Sequence, residues 1–334
     1  MRVGIAYNLK RENFHGPHDA EAEFDDPDTI MAIKKALETA GHRVELFEAL
    51  ESFPASIAAS RPDIVFNIAE GRLGRGREAH VPAILNFLNI PFVGSDETAV
   101  CIAMDKALAK RLLASFGVDT PKYTVITGDT RYTSGNSASS DQPEQPGFPI
   151  IVKPVAEGSG KGISGVSLVS GSDELHVVAD ELIRTYEQDA LAEEYIPGRE
   201  FTVGLLGNGA GTRVFAPMEV IFRDKAHSIY SYEIKRNFKQ HIDYACPPDL
   251  DAGLISKLEE TALQVFRITG CRDFARVDFR LSPENRLYFI EINPIPGLAP
   301  GYSDYPMLAG FCGVDYDTLI CSILDSALTR YGLR

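Results

Sequence analysis

A carboxylate and an amide alternate with two isoleucines in the stretch "YFIEINPIPG", residues 288–297. Successive side chains of a β-strand point to opposite faces, so Ile290 and Ile292 share one face while Glu291 and Asn293 share the other. The apolar pair predicts a buried strand. The polar pair predicts that the other face of this strand carries chemistry.

A partner strand is predicted just upstream, in "ARVDFRL". Residues 282–285, "SPEN", have proline at the second position, which is typical of a tight turn and predicts an antiparallel hairpin. Pairing that keeps the apolar faces together puts Arg276 and Asp278 beside Glu291 and Asn293. Two carboxylates and one amide oxygen on a rigid sheet suit Mg²⁺, with Mn²⁺ as a substitute. The alternative interpretation is a solvated sheet face with ordinary salt bridges.

A glycine-rich loop, "KPVAEGSGKGIS" (153–164), follows an apolar strand. Such a loop brings backbone N–H groups close to phosphate oxygens without obstruction by Cβ atoms, and Lys153, Ser159 and Lys161 add two charges and a hydroxyl. A strand rather than a helix is predicted after it, so it is not the P-loop of other nucleotide-binding proteins. A flexible hairpin turn is the alternative.

Composition limits the classes of function. The chain has 334 residues and a net charge of −14, which argues against a nucleic-acid partner. Its five cysteines are odd in number and scattered, which favours reduced thiols and a cytoplasmic location. We find no predicted signal peptide and no apolar run of membrane-spanning length.

Alternating strands and helices in residues 1–95 predict a doubly wound parallel sheet. We predict two further domains of α+β type, at 96–199 and 200–334. The domain at 96–199 is expected to begin with a single helix over 96–116. Serine, glycine and proline dominate residues 127–147, which predicts a surface loop.

Taken together, these pieces resemble the ATP-grasp superfamily and, within it, the D-alanine–D-alanine ligase family. The motifs that carry the resemblance span most of the chain and stand in the family's order: "MDKALAKRLL", "IVKPVAEGSGKGIS", "EEYIPGREFTV", "GCRDFARVDF" and "FIEINP". The resemblance implies an ATP-grasp fold of mixed α/β and α+β type, with ATP enclosed between two α+β domains. It also implies an ADP-forming ligase that converts a carboxylate into an acyl phosphate, which an amine then attacks.

The resemblance assigns roles to residues of this chain. Lys106 and Lys153 would contact ATP phosphates, and Gly158, Ser159 and Gly160 would cover them. Arg276 would stabilise the developing oxyanion, and Lys235 would reach phosphate from a loop over the site. The remaining implied groups are an adenine hinge and ribose ligand at Glu193, Glu194, Tyr195, Ile196 and Glu200, and ligands for two Mg²⁺ ions at Asp278, Glu291 and Asn293.

The substrate half departs from the family pattern. The family has a glycine-rich turn with serine and glutamate after its first strand, whereas this chain continues into "YNLKRENFHGPHDAEAEFDDPD". Arg236 stands where the family has tyrosine, and it either meets an anionic substrate group or pairs with a local carboxylate. The substrate candidates are therefore Glu70, Arg236, Gly297, Tyr302 and Ser303, with Tyr7 and Asn8 as further candidates and His80 more simply a helix-surface histidine.

Four functions remain open at this point. The first is a ligase that joins an amino acid to an amine and whose substrates differ from two D-alanines. The second is a D-alanine–D-alanine ligase with a divergent substrate loop. The third is a nucleotide-binding protein without activity, and the fourth is a kinase that releases an acyl phosphate. A homodimer is expected from the resemblance alone.

Overall fold

Three β-sheets form the framework of the protein. The structure, a computed structural model, describes residues 1–11, 19, 21–128, 132–134, 146–158, 160–163, 167–224 and 232–334. All statements below concern this part of the chain.

The first sheet is parallel, with strand order β2-β1-β3-β4. Its strands are β1 (Arg2–Tyr7), β2 (Arg43–Glu48), β3 (Ile64–Asn67) and β4 (Phe92–Val93). The helices between them are α1 (Pro27–Thr39), α2 (Phe53–Ser60) and α3 (His80–Phe87). Helix α1 packs on one face through Ile30 and Ile33, whereas α2 and α3 pack on the other through Ile57 and Leu85. The predicted doubly wound sheet is confirmed.

The predicted single helix over 96–116 is wrong, because two helices occupy this stretch. They are α4 (Glu97–Met104) and α5 (Lys106–Ser115), separated at Asp105. Asp105 has an extended backbone, with φ −81° and ψ 99°, and its carboxylate accepts a hydrogen bond from the N–H of Leu108 at 2.9 Å. This is the geometry of a helix N-cap, so a new helix starts there and Lys106 becomes its first residue.

The second sheet is antiparallel, with order β6-β5-β9-β7-β8. Its strands are β5 (Tyr123–Ile126), β6 (Tyr132–Ser134), β7 (Ile150–Pro154), β8 (Leu168–Val169) and β9 (Ala190–Glu194). Helix α6 (Ser172–Tyr186) covers one face and buries Ala179 and Leu182 against it. Part of the predicted loop 127–147 forms β6, and residues 129–131 and 135–145 lie outside the described chain.

The third sheet is also antiparallel and has the order β13-β12-β10-β14-β15, with β11 beside β10. Its strands are β10 (Arg199–Leu206), β11 (Arg213–Val214), β12 (Met218–Phe222), β13 (Ile242–Ala245), β14 (Phe274–Leu281) and β15 (Leu287–Asn293). Two short helices, α7 (Tyr232–Arg236) and α8 (Phe238–His241), precede β13. Helix α9 (Ala252–Ile268) covers the apolar face through Leu258 and Val265, which leaves the polar face to the site.

The chain ends by returning to the first sheet. Helices α10 (Asp304–Phe311) and α11 (Tyr316–Tyr331) follow the third sheet, and α11 packs Ile320 and Ile323 into the same core as Ile33 of α1. The first two sheets lie within the ranges 1–95 and 96–199, whereas the third begins at Arg199, one residue before the predicted boundary at 200. Because α11 also joins the core of the first sheet, the division into three domains stays a prediction. No helix of the described chain is by itself long and apolar enough to cross a membrane, and α10 and α11 pass that test only as a pair bent by 106°.

Asp273 ties three distant segments together just before β14. It is fully buried and accepts hydrogen bonds from the N–H of Gly94 at 2.8 Å, from Asn208 at 2.7 Å and from Arg330 of α11 at 2.6 Å. A buried carboxylate with this many donors is stable only while all of them stay in place. Asp273 therefore fixes the first sheet and α11 relative to the strand that carries the site.

We expect Asp273→Asn to lower the free energy of unfolding by about 3 kcal/mol, because it leaves the Arg330 guanidinium without its buried counter-ion. Asparagine keeps the shape and tolerates the positive φ of 65° at this position. Urea unfolding followed by circular dichroism measures the change. The control is Asp119→Asn, which removes an exposed ion pair with Arg286 and is expected to cost less than about 1 kcal/mol. Equal losses in the two variants would contradict the role given to Asp273.

Candidate active site

The β14–β15 hairpin places its polar residues on one face of the third sheet. In the strand register Arg276 lies opposite Asn293 and Asp278 lies opposite Glu291, with a β-bulge immediately after Asp278. The apolar neighbours Val277 and Ile292 lie in the core under α9. The predicted pairing is thus confirmed.

Asp278 is held by donors from both neighbouring strands. Its carboxylate accepts hydrogen bonds from Arg276 at 2.9 Å, from Thr202 of β10 at 2.7 Å and from the Asn293 amide at 3.1 Å. Burial alone would lower the pKa of Arg276, but Asp278 and Asp304 raise it above its ordinary value. The arginine is therefore a permanent, oriented cation at the centre of the polar face.

Glu291 is surrounded by cations. Burial would raise its pKa, but Lys106, Lys235, Lys153 and Arg276 together lower it to about 2. The nearest of them, Lys106, has its ammonium 3.6 Å from the carboxylate. Glu291 is therefore ionised under any physiological condition.

The oxygens of Asp278, Glu291 and Asn293 fit a hard divalent cation. The carboxylates carry charge, and the Asn293 nitrogen already donates to Asp278, which leaves the amide oxygen as a ligand. No group of three or more His, Cys, Asp or Glu side chains able to hold a metal is found in the described chain. The two carboxylates and one amide named above suit an ion that takes few protein ligands and completes its shell with water or phosphate.

A buried group of two lysines and one glutamate supports the site from the second sheet. Glu193 of β9 contacts the ammonium of Lys110 at 2.7 Å and that of Lys153 at 3.2 Å. Burial lowers the pKa of Lys110 to about 8, although Glu193 acts in the opposite direction. The Glu193 side chain is thus paired with two lysines. Its backbone, rather than its side chain, would contribute to the predicted adenine hinge.

A cavity of about 80 Å³, which we call the hinge cavity, lies between the second and third sheets. The predicted nucleotide residues that line it are Lys106, Lys153, Gly160, Glu193, Glu194, Tyr195, Ile196 and Glu200. Burial raises the pKa of Glu200, and Arg280, 3.0 Å away, partly opposes this. Of the two other lid candidates, Gly158 does not line this cavity and Ser159 lies outside the described residues.

A second cavity of about 180 Å³, which we call the loop cavity, lies between residues 22–26, the helix pair α4–α5 and residues 293–304. The predicted substrate residues that line it are Glu70, Arg236, Gly297, Tyr302 and Ser303. The remaining candidates lie elsewhere. The Asn8 side chain bonds to the N–H of Gly71 and the carbonyl of Ala49, Tyr7 lines neither cavity, and His80 is exposed at the start of α3.

Four residues line both cavities, and they are Lys106, Glu157, Lys235 and Glu291. Lys106 also donates from its ammonium to the carbonyl of Glu157, at the base of the glycine-rich loop. The two cavities therefore meet at a wall made of two lysines and two carboxylates. A group bound in one can reach a group bound in the other across it.

The glycine-rich loop is fastened to the N-terminal segment that departs from the family pattern. Glu23 accepts a hydrogen bond from the N–H of Gly158 at 2.6 Å and lies 2.6 Å from Arg77. A Cβ atom at position 158 would come within 2.6 Å of the Glu23 carboxylate, so a larger residue there would displace this carboxylate from the loop. Lys161 and Glu157 complete the cluster.

Sequence reasoning missed the acidic residues of the loop cavity. Asp25, Glu78, Glu23 and Asp304 line it together with Glu70. Burial raises the pKa of Asp25 and of Glu78 to about 7 and that of Glu70 well above its ordinary value. The acidic run "AEAEFDD" is a signal for Glu23 and Asp25, but no sequence pattern brings Glu78 to them.

Comparisons with known proteins identify the family to which this chain is similar. The family model described as D-ala D-ala ligase C-terminus matches residues 112–325. A D-alanine–D-alanine ligase of Bordetella avium is 32% identical over 98% of this chain and 94% of its own length, and one of Aquifex aeolicus is 34% identical over 89% of this chain and 93% of its own. The crystal structure of a D-alanine–D-alanine ligase from Bacillus anthracis complexed with ATP aligns with a TM-score of 0.74, at 21% identity, over 100% of this chain and 99% of that one.

The structural likeness confirms the ATP-grasp fold, and the sequence matches reach from the first sheet to the last helix. Both cavities and the wall between them therefore lie within the aligned part of the chain. The chain belongs to the D-alanine–D-alanine ligase family and is an ATP-dependent ATP-grasp enzyme that forms a carbon–nitrogen bond.

Proposed function

We propose that the enzyme activates an amino-acid carboxylate as an acyl phosphate and joins it to the amine of a second molecule, giving a dipeptide or amino-acid conjugate with release of ADP and phosphate. The observation that carries this proposal is the wall shared by the two cavities, which includes Lys106, Lys235 and Glu291. A nucleotide in the hinge cavity would direct its terminal phosphate at this wall, and a carboxylate in the loop cavity would meet it from the other side. Positioning of the two reactants and electrostatic stabilisation together account for almost all catalysis of phosphoryl transfer.

The cations of the site would bind and orient the phosphates. Lys106 and Lys153 would hold phosphate oxygens, and Gly158, Ser159 and Gly160 would cover them. Asp278, Glu291 and Asn293 would hold one or two Mg²⁺ ions. The bound metal would neutralise part of the phosphate charge. Arg276, fixed by Asp278, would stabilise the oxyanion that forms when the amine attacks.

D-alanine is the first substrate to test on both sides, because the named relatives are D-alanine–D-alanine ligases. The second candidate is an enzyme of the same chemistry with another amino acid on at least one side. Three carboxyl groups of the loop cavity favour it, since Asp25, Glu70 and Glu78 offer more acceptors than the one ammonium group of alanine requires. Phosphate release from Mg-ATP with D-alanine alone, and with paired amino acids, separates the two candidates. A chain that released phosphate with no amino acid at all would contradict the proposal.

We further propose that the substrates are small molecules and that the enzyme works in the cytoplasm, as a homodimer in keeping with the family resemblance. The described cysteines are all free thiols, which supports a reducing compartment. The net charge of −14 disfavours nucleic acid.

We expect Glu291→Gln to reduce phosphate release by at least about a hundredfold, because it removes a charged oxygen from the metal site. The variant should keep its fold, which circular dichroism checks. Its matched control is Glu284→Gln in the turn of the same hairpin, which removes an exposed carboxylate and should leave the rate unchanged. Ordinary turnover by the Glu291 variant would rule out the metal assignment.

Arg236 and Lys235 lie next to each other on α7 but line different cavities. Arg236 lines only the loop cavity, whereas Lys235 lines both. We therefore expect Arg236→Tyr to change the KM for the amino-acid substrate by about tenfold and to leave the KM for ATP unchanged. Lys235→Ala should affect both constants. If Arg236→Tyr changes only the KM for ATP, the division into a nucleotide side and a substrate side is wrong.

A further inference from the structure

The loop cavity has opposite charges at its two ends. Arg276, Lys235 and Arg236 stand on the side of the third sheet and α7. Asp25, Glu70 and Glu78 stand on the side of the first sheet and its loops. A molecule with a carboxylate at one end and amines at the other would fit this polarity.

The acidic end contains more carboxyl groups than the protein's own cations pair with. Arg77 is 2.6 Å from Glu23 and 3.1 Å from Glu157, and Lys161 contacts the same two carboxylates. These two cations are therefore already matched. Lys106 lines the same cavity and acts on Glu78, but among the described residues its ion pair is with Glu291 and not with Asp25, Glu70 or Glu78.

Glu78 is the clearest case. It is only 7% exposed, yet within the described chain it makes no hydrogen bond through its side chain, and its nearest cation is Arg77 at 4.0 Å. Asp25 and Glu70 have neither a side-chain hydrogen bond nor an ion pair with any described residue. Lys10 also lines the cavity, but it is exposed and forms no ion pair with them. Glu78 is buried, whereas Asp25 and Glu70 are half-buried and face the cavity. A buried carboxylate without a donor is unfavourable, so Glu78 and its two neighbours are poised for a cationic ligand.

A metal ion does not meet this need. Asp25, Glu70 and Glu78 do not converge on a point as metal ligands do, since the described chain has no such group of three. Ammonium groups suit them better, because each has several donors and a chain of methylenes can separate two of them.

We propose that the acidic end of the loop cavity binds the side-chain ammonium group of a substrate, so that one of the two molecules joined is a diamino carboxylic acid. Its carboxylate lies toward Arg276, its α-ammonium group satisfies one carboxylate, and its second ammonium group satisfies another. This inference rests on the proposed ligase function and names the substrate class of the same site.

The test compares two matched pairs of ligands, lysine with norleucine and ornithine with norvaline, each in both configurations. Within a pair only the terminal ammonium group differs. Isothermal titration calorimetry with the full chain and Mg-ADP gives the affinities, and phosphate release from Mg-ATP is measured with each ligand, with and without D-alanine. We expect at least one diamino acid to bind about tenfold more tightly than its neutral partner.

Two variants locate the effect. Glu78→Gln and Glu70→Gln should each reduce that preference to about threefold or less, whereas the exposed control Glu284→Gln should retain it. Both glutamines replace carboxylates that lack donors, so we expect the variants to resist urea as well as the parent chain does. If one of them fails to fold, the other still decides the question.

The outcomes distinguish this inference from the proposed function. Equal affinity within each pair, with phosphate release on D-alanine alone, would overturn the inference and leave the ligase proposal standing. Selective binding of a diamino acid that Glu78→Gln abolishes, with no phosphate release in any mixture, would support the inference and overturn the proposed reaction. Selective binding together with release would support both, and neither binding nor release would overturn both.

Discussion

The site depends on buried cations that are each held against a carboxylate. Lys106, Lys110, Lys153 and Arg276 are all at most 7% exposed, and their partners are Glu291, Glu193 and Asp278. Removing such charges from water costs several kcal/mol each, so they persist only where geometry and hydrogen bonds compensate. The result is a set of positive charges whose positions are fixed before any anion arrives, and this is what preorganised stabilisation of phosphoryl transfer requires.

The support for these charges comes from sequence-distant elements. Lys110 on α5 reaches across to carbonyls of β15 at 3.1 Å and 3.4 Å, and to Glu193 on β9. Asp273 connects Gly94 after β4 to Arg330 on α11. These contacts join all three sheets, so the distance between the hinge cavity and the loop cavity is set by the whole fold rather than by one motif.

The N-terminal segment has a double role in this arrangement. Glu23 holds the N–H of Gly158 and the side chain of Arg77, and so ties the glycine-rich loop to the first sheet. Asp25, two residues later, faces the loop cavity. A change in this segment would therefore act on the loop cavity and on the glycine-rich loop, whereas Lys110, Lys153 and Glu193 are held by contacts that do not involve it. Under the second candidate function, this division would let one family chemistry serve a different substrate.

The sequence by itself determined the parallel first sheet, the β14–β15 hairpin and the face that carries Arg276, Asp278, Glu291 and Asn293. Strand alternation and turn chemistry act over a few residues and can be read locally. Only the tertiary structure decided that Asp105 divides the helix predicted over 96–116, that Glu193 lies between two lysines, and that Asp25, Glu70 and Glu78 share a cavity. Those outcomes rest on contacts between segments far apart in sequence, and the strength of a charge–charge contact depends on burial, which no local pattern specifies.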